Sequence, residues 1–131
     1  MDSNVLLDIV TDDPQWSAWS SAALAHAADE GPVVINPLIY AEISLAFERI
    51  ETLEAILPAS VFLRLPLPWE AAFLVGRCFV RYRRLGGLRR SPLPDFYIGA
   101  HAAIHHLTLL TRDAARYRTY FPKLKITAPS P

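Results

Sequence analysis

Apolar and polar positions along the chain follow two periods, one helical and one extended. Residues 3–10 place Val5, Leu6, Ile9 and Val10 on one face of a short helix that Ser3 can cap. Asp13-Pro14 is a second helix start, with proline at the first helical position. Trp16, Trp19, Ala23 and Leu24 continue it to about residue 28, and Gly31-Pro32 ends it. Val33-Val34-Ile35 is a short apolar run between turn residues, the pattern of a buried strand. Asn36-Pro37 repeats the cap-plus-proline signal and opens a helix carrying Tyr40, Glu42, Ile43 and Phe47; residues 51–57 form another, stopped by Pro58. Residues 61–65 are the next strand, closed by Pro66 and Pro68, and the longest helix spans 69–85, ending at Gly86-Gly87. A loop through Pro92 and Pro94 leads to a helix from Asp95 to about residue 106, a strand over 107–111, a short helix opened by Asp113 and a last strand over 123–127. Strands alternating with helices predict the α/β class, with a parallel sheet covered on both faces. No repeat or low-complexity linker divides the chain, so residues 1–131 read as a single domain.

Composition narrows the class. With 52% hydrophobic and 20% charged residues the chain is too apolar for disorder. Its richest apolar stretch, 33–47, is broken by Asn36, Pro37 and Glu42, short of the roughly 18 uninterrupted residues of a membrane span. No basic region opens the N-terminus, which excludes a secretory signal, and the single Cys78 cannot form an internal disulfide. A reduced, cytoplasmic protein without membrane contact is expected. The net charge of zero conceals a split: residues 1–76 hold eleven acids and two bases, net −9, and residues 77–131 the reverse, net +9. Such asymmetry points either to polyanion binding or to two halves that neutralise one another across the fold.

Four acids stand at the junctions of these elements: Asp2, Glu42, Asp95 and Asp113. In open parallel sheets ligands bind outside the carboxyl ends of the strands, where loops run into helices. Each aspartate alone could be a helix cap. Glu42 could not, because it falls beyond the first turn of its helix. If the four converge, any two carboxylates about 5 Å apart repel by roughly 3 kcal/mol at an effective dielectric near 20. The cluster then needs a cation or takes up protons. An all-oxygen set selects Mg²⁺ or Mn²⁺ over zinc, and a metal-activated water can be delivered to phosphorus.

Asp2-Ser3-Asn4-Val5-Leu6 resembles the opening D-[TS]-[NS]-x-[LI] motif of the PIN domain. Ala41-Glu42-Ile43-Ser44 is similar to its second acidic position, and Pro94-Asp95-Phe96-Tyr97-Ile98-Gly99-Ala100 to its D-x-x-I-A-A helix start. Leu109-Leu110-Thr111-Arg112-Asp113, followed by Tyr120-Phe121-Pro122, resembles its closing strand, T-[RN]-[DN] turn and F-P element. The four motifs stand in family order over nearly the whole chain, and size and layout look most like the VapC-type toxins of toxin–antitoxin pairs. The resemblance implies a PIN-like three-layer α/β/α domain with a short central parallel sheet. It further implies a Mg²⁺- or Mn²⁺-dependent endoribonuclease leaving 5′-phosphate and 3′-hydroxyl ends, a homodimer, and a VapB-like antitoxin. Asp2, Glu42, Asp95 and Asp113 would be the catalytic and metal-binding acids, with Ser3, Asn4 and Thr111 orienting ligands. The family also has an apolar strand before its first aspartate, where this sequence has Met1; the resemblance therefore implies either a start further upstream or a sheet whose first strand is truncated.

Arg77, Arg81, Arg83, Arg84, Arg89 and Arg90 crowd the end of the long helix and its loop, and Arg77, Arg81 and Arg84 share one helical face. Arg77, Arg81, Arg84, Arg89 and Arg90, with Arg112 of the closing turn, are candidate RNA-binding residues; a solvated helix face is the other reading. His101 and His105 have the spacing of helical metal ligands, but no third ligand accompanies them, and they read as an ordinary helix face. Trp16, Trp19, Trp69, Phe73 and Phe79 read as core packing, and Cys78 as a small buried hydrophobe. Two other functions stay open. A non-catalytic PIN-like module could bind RNA or a protein. A phospho-receiver domain would use Lys123 or Lys125, but the paired acids it needs after its first strand are missing.

Overall fold

The computed structural model describes residues 1–90 and 93–130; Pro92, part of the expected loop, lies outside them. The elements run α1 (Ser3–Val10), α2 (Ser17–Glu30), β1 (Val33–Ile35), α3 (Pro37–Ser44), α4 (Ile50–Ala55), β2 (Phe62–Arg64), α5 (Trp69–Arg84), α6 (Pro94–Ile104), β3 (Leu109–Leu110), α7 (Ala115–Tyr120) and β4 (Ile126–Thr127). The class is the expected mixed α/β, with short parallel strands. Local chemistry explains most boundaries. Asn36 caps α3, its Oδ1 accepting the Ile39 N–H at 2.9 Å, with Pro37 at the first helical position. Beyond α5, Gly86 takes φ +95°, a left-handed conformation that favours glycine.

Two starts differ from expectation. Asp13 opens a turn rather than a helix: its Oδ1 accepts the N–H groups of Gln15 and Trp16, both at 2.9 Å, and α2 begins only at Ser17. Ser3 lies inside α1 and Asp2 occupies the cap position, yet the Asp2 side chain makes no cap bond.

β1 pairs in parallel with β2, Val33 opposite Phe62, and β3 with β4, Leu109 opposite Ile126. The parallel ladder thus comes in two pairs, joined through the first two residues. The Met1 ammonium donates to Val34 O at 3.0 Å, and the Asp2 N–H to Leu110 O at 2.8 Å. That ammonium is buried, and burial lowers its pKa to about 6 against the opposing pull of Asp2.

Around this frame Val5, Ile35, Ile43, Val75, Phe96, Leu109 and Tyr117 form the centre of the core. α5 buries Ala71, Val75 and Cys78, so the other side of the helix faces water. Trp69 (89% exposed) and Phe73 (71%) lie on that side and are not the core residues their type suggested. Trp16, Trp19 and Phe79 are partly buried. No helix among the described residues is long and apolar enough to cross a membrane.

Candidate active site

Residues far apart in sequence meet at one mouth of the fold. α1 begins beside the end of β3, which brings Asp2, Ser3 and Asn4 to the turn that carries Thr111 and Asp113. α3 contributes Glu42, and α6 contributes Asp95 from its first turn. Asp2, Ser3, Asn4, Glu42, Asp95 and Asp113 line one open pocket of about 580 Å³, together with Arg116, Thr119 and Tyr120 of α7.

Asp2 is buried and its Oδ2 accepts three bonds: from Thr111 Oγ1 at 2.9 Å, from the Tyr117 hydroxyl at 2.9 Å and from Asn4 Nδ2 at 3.3 Å. These replace the helix-cap bond as the role of this carboxylate. Asn4 Oδ1 accepts the Arg112 backbone N–H at 3.2 Å, and Thr111 Oγ1 accepts that of Asp113 at 3.1 Å, which fixes the turn against α1. Ser3 Oγ donates to Glu42 Oε1 at 2.9 Å. Ser3, Asn4 and Thr111 therefore hold the acids in place.

The electrostatics are those of crowded carboxylates. Burial raises the Glu42 pKa, the Ser3 bond opposes it, and the charges on Asp2 and Asp95 add to the rise. Asp95 is raised by burial and then by Asp2 and Asp113, against the pull of Arg116, whose Nη1 stands 3.5 Å from Asp95 Oδ2. Burial and the surrounding acids, Asp2 first among them, push the Tyr117 hydroxyl far up, so it stays a proton donor.

The donor set suits a hard divalent cation: four carboxylates on one pocket, two of them pushed toward protonation first by burial and then by the neighbouring acids. Among the described residues no three acid, histidine or cysteine side chains already stand close enough to cage an ion.

Arg77, Arg81, Arg84, Arg89 and Arg90 are exposed. Arg81 reaches the rim of the pocket: its Nη1 donates to Thr119 O at 2.9 Å, and its guanidinium lies 5.5 Å from the centre of the Tyr120 ring. Arg77 stacks on Phe73 at 5.2 Å. Arg112 stands apart from them. Its Nε and Nη2 grip the buried Asp8 carboxylate at 2.9 and 3.1 Å, and it packs 5.6 Å from the centre of the Trp16 ring, so its side chain serves the fold. Sequence reasoning missed Arg116 and Tyr117. They follow Asp113 by three and four residues, the spacing that puts side chains on one helical face, and that was the available signal.

The sequence matches the family model described as PIN domain over residues 1–122. Among solved structures the chain is similar to VapBC2 from Rickettsia felis bound to a DNA fragment from their promoter, with 15% identity, a TM-score of 0.72, and coverage of 98% of this chain and 96% of that one. It is similar to VapBC-1 from nontypeable Haemophilus influenzae, with 14% identity, a TM-score of 0.68 and coverage of 97% and 94%. FitAcB from Neisseria gonorrhoeae shares 22% identity with a TM-score of 0.67, covering 95% of this chain and 93% of that one. At these identities the likeness is one of fold. No curated protein matches the sequence.

Proposed function

The chain belongs to the PIN-domain family, and from that premise we propose that its acidic pocket is the centre of a Mg²⁺- or Mn²⁺-dependent endoribonuclease. The observation that carries the reading is the meeting of Asp2, Glu42, Asp95 and Asp113, from four separate stretches of sequence, on one open pocket. A divalent cation held by these acids supplies Lewis acidity and charge neutralisation for in-line displacement at phosphorus.

The chain's own residues do the rest. Thr111, Tyr117 and Asn4 fix the Asp2 carboxylate, and Ser3 fixes Glu42. Arg116 on the pocket wall, Arg81 at its rim and the exposed arginines of α5 attract the phosphodiester backbone. Water adds to phosphorus as the bond to the 3′-oxygen breaks, leaving a 5′-phosphate and a 3′-hydroxyl. The likeness to VapBC and FitAcB structures supports a toxin that works with a small VapB-like antitoxin, and the same reading makes the chain a homodimer.

Cleavage of a mixed RNA by the purified protein with Mg²⁺ or Mn²⁺, beside an EDTA control, tests this reading. Metal-dependent products bearing 5′-phosphates are expected. RNA binding without cleavage under both metals would replace the nuclease by a non-catalytic binding module.

A further inference from the structure

Trp69 and Phe73 lie in water, and neither the core nor the acidic pocket uses them. Two aromatic rings so exposed on one helix are unusual, and they belong to a longer pattern. Trp69, Phe73, Arg77 and Arg81 follow one another at intervals of four, so each step makes one turn of α5 plus about 40°. They form a gently winding stripe about 18 Å long. Its Arg81 end reaches the rim of the acidic pocket, where the guanidinium meets Thr119 O and the Tyr120 ring. Tyr120 is itself held edge-on by the buried Phe96, with ring centres 4.9 Å apart.

Rings and positive charges therefore alternate outward from the pocket: Arg81 on Tyr120, Arg77 on Phe73 at 5.2 Å, then Trp69. α5 carries four arginines and a single acid, Glu70. Among the described residues none of the four pairs with a carboxylate. Space beside the stripe is open as well. A Cβ on Gly76, three residues beyond Phe73, would meet nothing within 4 Å, so packing does not require glycine at this helical position.

We propose that this stripe is a stacking platform for an unpaired nucleic-acid strand, RNA on the nuclease reading above on which this choice rests, leading into the acidic pocket. Bases stack on Trp69 and Phe73, while Arg77 and Arg81 hold the phosphates between them. Charge complementarity selects this occupant. The rings need a planar partner and the arginines an anionic one, and a polynucleotide supplies both in alternation. A second copy of the chain docked here about a two-fold axis would set the arginines against their own counterparts. Every base has a π-face, so the platform tolerates any sequence. A duplex keeps its bases stacked on one another and cannot offer them.

The test is fluorescence anisotropy of labelled twelve-residue strands with the full chain in EDTA, where cleavage plays no part. The strands are an RNA, its abasic equivalent, the same RNA as a duplex, and the DNA of the same sequence. Trp69→Ala and Phe73→Ala should each weaken binding of the single-stranded RNA about tenfold. The salt slope and the affinity for the abasic strand and the duplex should stay those of the parent, because the phosphate contacts remain. Both rings are exposed, so the thermal midpoint should hold. Parent affinity in both variants, equal losses on the abasic strand, or no RNA binding by the parent would overturn the proposal. Parent RNA affinity with a fall in molar mass by light scattering would give the stripe to a second copy instead. DNA bound more tightly than RNA would overturn the choice of strand. Stacking without metal-dependent cleavage would remove the nuclease and keep the platform, whereas cleavage without stacking would remove the platform alone.

Discussion

Two arginine–aspartate pairs flank the closing turn, and they differ in kind. Arg112 holds Asp8 through two bonds, with the Asp8 side chain 3% exposed and that of Arg112 29%. Arg116 meets Asp95 through a single contact of 3.5 Å, with side chains 44% and 38% exposed. The first geometry is bidentate and largely shielded from solvent, which suits a permanent brace. Water screens the second, and such exposed pairs contribute little to stability. The brace fixes the Thr111–Asp113 turn to α1; in the proposed function the loose pair lets Asp95 exchange its arginine for a cation and Arg116 turn to a phosphate. In that reading, neighbouring residues of one motif divide into structure and chemistry according to the burial of their acid.

The largest expected effect falls on the loose side of this comparison. Asp95→Asn should cut RNA cleavage at least about a hundredfold, while the thermal midpoint stays near that of the parent protein. Cleavage at the parent rate would remove Asp95 from the chemistry. Next comes the brace: Arg112→Leu leaves the Asp8 carboxylate buried with the Ser20 hydroxyl, which donates to it at 2.8 Å, and should cost about 3 kcal/mol in urea unfolding. Arg116→Leu should cost less than about 1 kcal/mol. Equal losses for the two would erase the distinction.

Divalent cation sharpens it further. Mg²⁺ or Mn²⁺ should stabilise the fold, by about 2.7 kcal/mol at a hundred times its dissociation constant. The gain should shrink as pH falls from about 7.5 to about 5, since the ligands must be deprotonated. Glu42 and Asp95 are raised above the ordinary carboxylate range, so protons compete from a higher pH than usual. Their sign also means that, without cation, the folded state binds these protons more readily than the unfolded chain. Their contribution to stability therefore falls as pH rises from the ordinary carboxylate range through the raised values. A cation effect independent of pH would place the ion elsewhere. The smallest effect belongs to the outer arginines: Arg84→Glu should lower the salt slope of RNA binding by about one, and an unchanged slope would leave that face merely solvated.

Much of this was legible before the fold. The caps and prolines at Asn36-Pro37 and Pro94-Asp95 mark helix starts by local chemistry, and the four acids stand at or near the junctions of elements. What the sequence could not show depends on side-chain pairings across long separations. Nothing in periodicity joins Arg112 to Asp8, 104 residues away, or Tyr117 to Asp2, 115 away. Trp69 and Phe73 carry the residue types of a core, yet the small residues Ala71 and Cys78 with Val75 turn the opposite side of α5 inward. The division of the ladder into β1–β2 and β3–β4 rests on pairings between distant stretches that periodicity does not show.

The central claim is that the four acids hold a divalent cation, and electron paramagnetic resonance of Mn²⁺ titrated into the protein reads this directly. Bound Mn²⁺ is expected in the parent protein, and its loss or strong weakening in Asp95→Asn, with both proteins folded. Undiminished Mn²⁺ binding in that variant, or none in the parent, would contradict it.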